Sequence, residues 1–190
     1  IGALNVPEEA EPGAYAILLQ PTTPKERICD LTELRHVTIH TDGACSLNPG
    51  PGGYGAVLID GERRAELGGG FRRTTNNRME IMAAIAGLED LRQKSRVTLY
   101  SDSQYLVNAI EKGWAKKWRA NGWKRNTNDK ALNPDLWARL LDLCEHHLVE
   151  FNWVRGHAGN AENERCDQLA TQHAHQSNLP ADKGYEGGLF

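Results

Sequence analysis

Two segments of this chain, HVTIHTD at 36–42 and RVTLYSD at 96–102, follow one pattern. Each alternates apolar and polar residues, as a half-buried β-strand does, and each runs straight into an aspartate. Thr38, His40 and Asp42 share one face of the first; Thr98, Tyr100 and Asp102 share one face of the second. If the two strands are parallel neighbours, both carboxylates project at the carboxyl edge of a sheet, where open α/β folds bind their ligands. An aspartate in such a place is more often a turn former or a cap, so neither residue decides anything alone.

The intervening text supplies the rest of a mixed sheet. GYGAVLID (53–60) and the run from Gly61 to Phe71 read as two strands joined at Asp60-Gly61, a good hairpin signal. TTNNRMEIMAAIAGLEDLR (74–92) reads as a helix capped by Thr74 or Thr75. After the strand at 96–102, SQYLVNAIEKG is a helix stopped by Gly113. NPDLWARLLDLCEHH (133–147) has an Asn cap and a proline in its first turn. LVEFNWV (148–154) is a fifth strand and NAENERCDQLATQHAH (160–175) a last helix. This order implies an α/β fold with helices on the faces of its sheet.

Two more acids stand out against that frame. Glu80 shares a helical face with Ala83, Ala84, Gly87 and Leu91, a small apolar face that should lie close to the sheet. An unpaired carboxylate there would be costly to bury. Asp167 sits at the edge of the stripe formed by Cys166, Leu169, Ala170 and Ala174. Gathered carboxylates take up protons or bind cations. A set of oxygen ligands favours Mg²⁺ or Mn²⁺ over zinc, and paired ions of this kind serve in-line phosphoryl displacement.

Charge is unevenly spread. The net charge is only -3, but residues 111–130, EKGWAKKWRANGWKRNTNDK, hold seven Lys/Arg against two acids and three of the five tryptophans. Lys112, Lys116, Lys117, Arg119, Lys124 and Arg125 could track phosphates without reading bases. Trp118, at helical spacing, reads mainly as packing.

Four text blocks, HTDGACSLNPGPGGYG, TTNNRMEIMAAIAGLE, LYSDSQYLVNAI and WVRGHAGNAENERCDQLA, together resemble the type 1 ribonuclease H family of the bacterial kind. The similarity covers about residues 36–175, in order. It implies a ribonuclease H-like fold, a five-stranded mixed sheet whose first three strands are antiparallel. It also implies an endonuclease that cuts the RNA strand of RNA–DNA hybrids with Mg²⁺, or Mn²⁺, as cofactor, leaving a 5′-phosphate and a 3′-hydroxyl. Carried over residue by residue, the metal-binding acids are Asp42, Glu80, Asp102 and Asp167, with His157 of the GHAGN loop assisting proton transfer or product departure. Asn48, Asn76, Asn77 and Gln104 match positions that contact the hybrid near the cut; Gly43 and Cys45 match positions whose main chain approaches RNA 2′-hydroxyls. Amides both donate and accept, as a 2′-OH does. The basic window matches the family's handle protrusion, which assigns Lys116, Lys117, Trp118, Arg119 and Lys124 to substrate binding. Two rivals stand: another nuclease on the same fold, and a module that binds hybrids without cutting them.

The ends do not match the family's motifs. Residues 1–35 carry four of the eight prolines and six acids against three bases, with AYAILLQ (14–20) as one candidate strand; they read as an extension of unknown role. Residues 176–190 read as a loose tail. The chain begins with Ile1, which suggests a processed or truncated end. Four scattered cysteines without a CxxC pair suggest reduced thiols, no signal or membrane segment is visible, and a cytoplasmic monomer is expected.

Overall fold

The computed structural model describes residues 34–187. The extension before Leu34, with its candidate strand at 14–20, and the last three residues lie outside the described residues. Five strands form one sheet: β1 (His36–Cys45), β2 (Gly50–Asp60), β3 (Arg63–Thr74), β4 (Arg96–Ser101) and β5 (Leu148–Trp153), in the order β3-β2-β1-β4-β5. β1, β2 and β3 are successively antiparallel, while β4 runs parallel to both β1 and β5. The expected mixed sheet is present, and β1 lies at its centre.

The helices are α1 (Asn76–Glu89), α2 (Gln104–Glu111), α3 (Trp114–Ala120), α4 (Pro134–His146), α5 (Ala161–Ala174) and α6 (Lys183–Glu186). Thr75, not Thr74, caps α1, accepting from the Arg78 N–H. Ser103 caps α2 and Asn160 caps α5, so these helices begin where a side-chain oxygen can satisfy a first free N–H group, whereas Asn133, expected to cap α4, makes no side-chain cap hydrogen bond. The α3 segment was expected only as a basic window; it is a separate helix that starts after Gly113, whose φ of 68° glycine adopts without strain.

Two apolar layers cover the sheet. The larger holds Val37, Ile39, Val97 and Leu99 of the strands against α1, α2 and α4. The α1 helix is covered almost all round, because the sheet takes one side and α4 the other. Each such fully buried aliphatic side chain contributes roughly 1.5–3 kcal/mol of transfer free energy. The smaller layer holds Val57 against Cys166 and Leu169 of α5. Here the sheet is nearly bare: a Cβ at Gly53 would lie 2.1 Å from the Ala170 carbonyl oxygen, and one at Gly55 2.4 Å from that of Cys166. Glycines therefore let the α5 main chain rest directly on β2.

The tail is not loose where the structure describes it. Arg72 N–H donates to the Pro180 carbonyl at 2.9 Å. The Arg78 guanidinium donates to Asp182 at 2.7 and 2.8 Å and to Asp135 at 2.9 and 2.6 Å, and the Thr74 hydroxyl donates to Asp182 at 2.7 Å. Arg78 and Asp182 are both buried, so this pairing ties the tail, β3, α1 and α4 into one knot. Asp182→Ala should destabilise the protein by about 3 kcal/mol, because it leaves a buried guanidinium short of a partner. Urea unfolding measures this, and a loss below about 1 kcal/mol would show that Asp135 alone satisfies Arg78.

Candidate active site

The parallel register of β1 and β4 pairs Thr38 with Thr98 and His40 with Tyr100, whose rings stack at 4.9 Å. The two aspartates that follow therefore emerge at the same level of the sheet. Glu80 reaches the same point from α1. A Cβ at Gly43 would lie 2.4 Å from the Glu80 main-chain nitrogen, so only a bare residue after Asp42 lets α1 approach β1 so closely. Asp42, Glu80 and Asp102 each present an oxygen within 4.8 Å of the others.

These carboxylates repel one another, and Asp42 and Glu80 are buried from water. Burial, then the charges of Asp102 and Asp167, push the Asp42 carboxyl up to about 7, against the Gly43 N–H that donates to Asp42 Oδ1 at 2.7 Å. Burial, followed by the charges of Asp42 and Asp102, raises Glu80 well above the usual carboxylate range. Asn76 Nδ2 donates to Glu80 Oε1 at 3.3 Å, but Glu80 Oε2 is buried with no hydrogen-bond partner. An orphaned buried oxygen beside two further carboxylates fits a site completed by a cation. Asp167, half-buried on α5, stands outside the close trio, near enough for its charge to raise Asp42.

The remaining expected residues surround this cluster unevenly. His157 is exposed in the β5–α5 loop, with φ at 52°. Asn48 Oδ1 accepts the Asn76 N–H at 3.1 Å, which ties the β1–β2 turn to the start of α1. Asn77 and Gln104 are exposed in the first turns of α1 and α2. The Cys45 thiol lies within 3.5–3.8 Å of the Leu47, Gly50 and Thr74 carbonyls, and burial raises its pKa.

In the basic protrusion, Lys116, Lys117 and Lys124 are exposed. Arg119 has partners that the sequence did not indicate: it donates to Asp142 at 3.0 Å and pairs with Glu145, both on α4. Its charge is therefore already answered within the protein. Trp118 is buried edge-on against Trp137 at 6.0 Å, as packing would have it. Trp114 stays partly exposed, with the Lys112 ammonium 5.2 Å from its ring centroid.

Three residues not singled out in the sequence also touch the cluster. Trp153 Nε1–H donates to the Asp102 carbonyl at 2.9 Å, Asn163 Nδ2 donates to Asp102 Oδ2 at 3.4 Å, and Gly156 lies against the same Oδ2. For Asn163 a signal existed: it precedes Asp167 by four residues and so shares its helical face.

A family model described as RNase H matches residues 34–175, most of the chain and every element of the site. The chain belongs to the RNase H family. A ribonuclease H of Desulforamulus reducens is 68% identical over 151 residues, covering 80% of this chain and 95% of its own length. A ribonuclease H of Trichodesmium erythraeum is 62% identical over 157 residues, covering 82% of this chain and 100% of its own. Among solved structures, LC9-RNase H1, a type 1 RNase H with the type 2 active-site motif, is 30% identical with a TM-score of 0.67, covering 74% of this chain and 72% of its own. The span matched by the RNase H model contains every residue of the acid cluster. Among the described residues no helix is long and apolar enough to cross a membrane.

Proposed function

We propose that the chain hydrolyses the RNA strand of RNA–DNA hybrids, using Mg²⁺, or Mn²⁺ in its place, held by Asp42, Glu80, Asp102 and Asp167. The observation that carries this reading is the close approach of three acids from β1, α1 and β4, within 4.8 Å of one another. Such a set is unstable as anions and well suited to hard divalent cations. Bound cations supply two effects, activation of a water and stabilisation of the departing 3′-oxygen. The chain's own groups do the rest. Glu80, held through Asn76, and Asp102, held through Asn163, keep their oxygens oriented. His157, free of the core on its loop, takes or passes a proton, or helps the product leave. The products are a 5′-phosphate and a 3′-hydroxyl.

Around this centre, Asn48, Asn76, Asn77 and Gln104, with the main chain at Gly43 and Cys45, form the surface that meets the hybrid and its 2′-hydroxyls. Nothing on it resembles a base-edge reader, so sequence preference is weak. Lys116, Lys117 and Lys124 meet backbone phosphates. A cytoplasmic monomer remains the expectation, with scattered cysteines that form no CxxC pair. Hydrolysis of a labelled hybrid with Mg²⁺, lost with chelator and absent on double-stranded DNA, tests the reading. A preference for DNA would overturn it in favour of another nuclease.

The pairing of Arg119 sharpens the expectation for the protrusion. Replacing Lys116 and Lys117 by Ala should lower the slope of log affinity against log salt by roughly one per residue, with the cut site unmoved. Arg119→Ala should leave that slope unchanged. Binding measured across a salt series checks both statements, and an unaltered slope in the lysine variant would remove those residues from phosphate contact.

A further inference from the structure

Asn163 lies in the first turn of α5 and is only 3% exposed. Its main-chain N–H is already satisfied by the cap residue, Asn160 Oδ1, at 3.2 Å, so its side chain is not needed for capping. That side chain turns instead to the acid cluster. Nδ2 donates to Asp102 Oδ2 at 3.4 Å, and Oδ1 of the same planar amide is buried with no hydrogen-bond partner. Rotating the amide by half a turn would not help, since it would set a carbonyl oxygen against a carboxylate oxygen. The orphaned acceptor is therefore a consequence of holding Asp102.

A buried acceptor of this kind calls for a donor from outside the protein. Its surroundings say which kind. Asp167 follows one turn later on the same helical face, and Asp102 is the residue to which the amide is bonded. No carboxylate there can donate once ionised. A water in the hydration shell of a divalent cation can only donate, and Mg²⁺ keeps several such waters when bound by carboxylates.

We propose that Asn163 is a positioning residue for the cation: its N–H orients Asp102 as a ligand, and its Oδ1 accepts a hydrogen bond from a water of the cation's hydration shell. This rests on the reading of the acids as a divalent-cation site. It adds a neutral amide, supplied by α5, to the four acids. The main chain of Asp102 is fixed independently by the Trp153 indole, so the amide acts on the carboxylate rather than on the strand end.

The test uses the full chain without nucleic acid, titrated with Mn²⁺ and with Mg²⁺ by calorimetry. Asn163→Ala should bind about 10–100-fold more weakly, the range seen when an outer partner of a metal ligand is removed. Arg165→Ala is the control: Arg165 pairs outward with Glu66, and its loss should leave the affinity unchanged. In the unaltered protein, the side-chain amide resonances of Asn163 should shift on adding Mg²⁺, with the same midpoint as the calorimetric titration. This second readout needs no variant and decides the matter if Asn163→Ala fails to fold. Parent-like affinity in Asn163→Ala, equal weakening in Arg165→Ala, or amide resonances that stay still while the Glu80 carboxyl signal moves would each overturn the proposal. A parent chain that takes up neither cation would instead overturn the cation reading beneath it.

Discussion

Asp42→Asn should abolish cleavage of an RNA–DNA hybrid while leaving hybrid binding largely intact. The substitution keeps shape and keeps an acceptor for the Gly43 N–H, now at 2.7 Å from Oδ1. It removes one negative charge from the trio, the charge that in the proposed function attracts and orients cations. Turnover should fall by roughly three orders of magnitude or more, the scale expected when one member of a jointly acting set is lost. Binding should be spared, because the contacts assigned to the protrusion and the asparagines remain, and the loss of a charge eases the approach of phosphates. Single-turnover cleavage and a parallel binding isotherm separate the two effects. Near-normal turnover would remove Asp42 from its assigned role.

The second large effect concerns stability without metal. Folding raises the Asp42 carboxyl from an ordinary value of 3.8 to about 7. The folded state then holds this proton more tightly than the unfolded chain does, so stability declines as pH rises through that interval. The full penalty is reached above about pH 7 and, at 1.36 kcal/mol per unit, amounts to about 4 kcal/mol. Glu80 is displaced in the same direction and adds to the trend. In chelator, urea unfolding should therefore show this site costing most at neutral pH and least near pH 4. Saturating Mg²⁺ should restore much of the loss, since a ligand that binds only the folded state stabilises it. Asp42→Asn should flatten the decline and make the metal-free protein more stable at neutral pH. A metal-free stability that does not vary between about pH 4 and pH 7 would show that the carboxylates are better hydrated than their burial implies.

Much of this molecule could be read from local text. Alternation located the strands, and caps and proline located most helices, because each of these signals acts within a few residues. Asp42 and Asp102 read as matching strand ends, but setting them side by side depended on a parallel pairing that the β1–β4 register supplies. Glu80 was legible from the small face around it, which Gly87 completes: a Cβ there would lie 2.8 Å from Ile39. What escaped notice depends on contacts between distant segments. The answer to Arg119 lies on α4, more than twenty residues on. Asp182 reads as an ordinary tail residue until Arg78 is seen beside it, a pairing across 104 positions. Asn163 matters because of Asp102, 61 residues earlier, and no periodicity connects the two.

The bare seam of the sheet bears on how the site could be altered without touching any ligand. Gly53 and Gly55 meet main-chain atoms of Ala170 and Cys166, on either side of Asp167 along α5. One added methyl group there would act as a shim, lifting the helix and swinging Asp167 and Asn163 away from their counterparts. The position of Asp167 is thus set by the missing side chains on β2, so a substitution that touches none of the proposed cation ligands should still weaken the site.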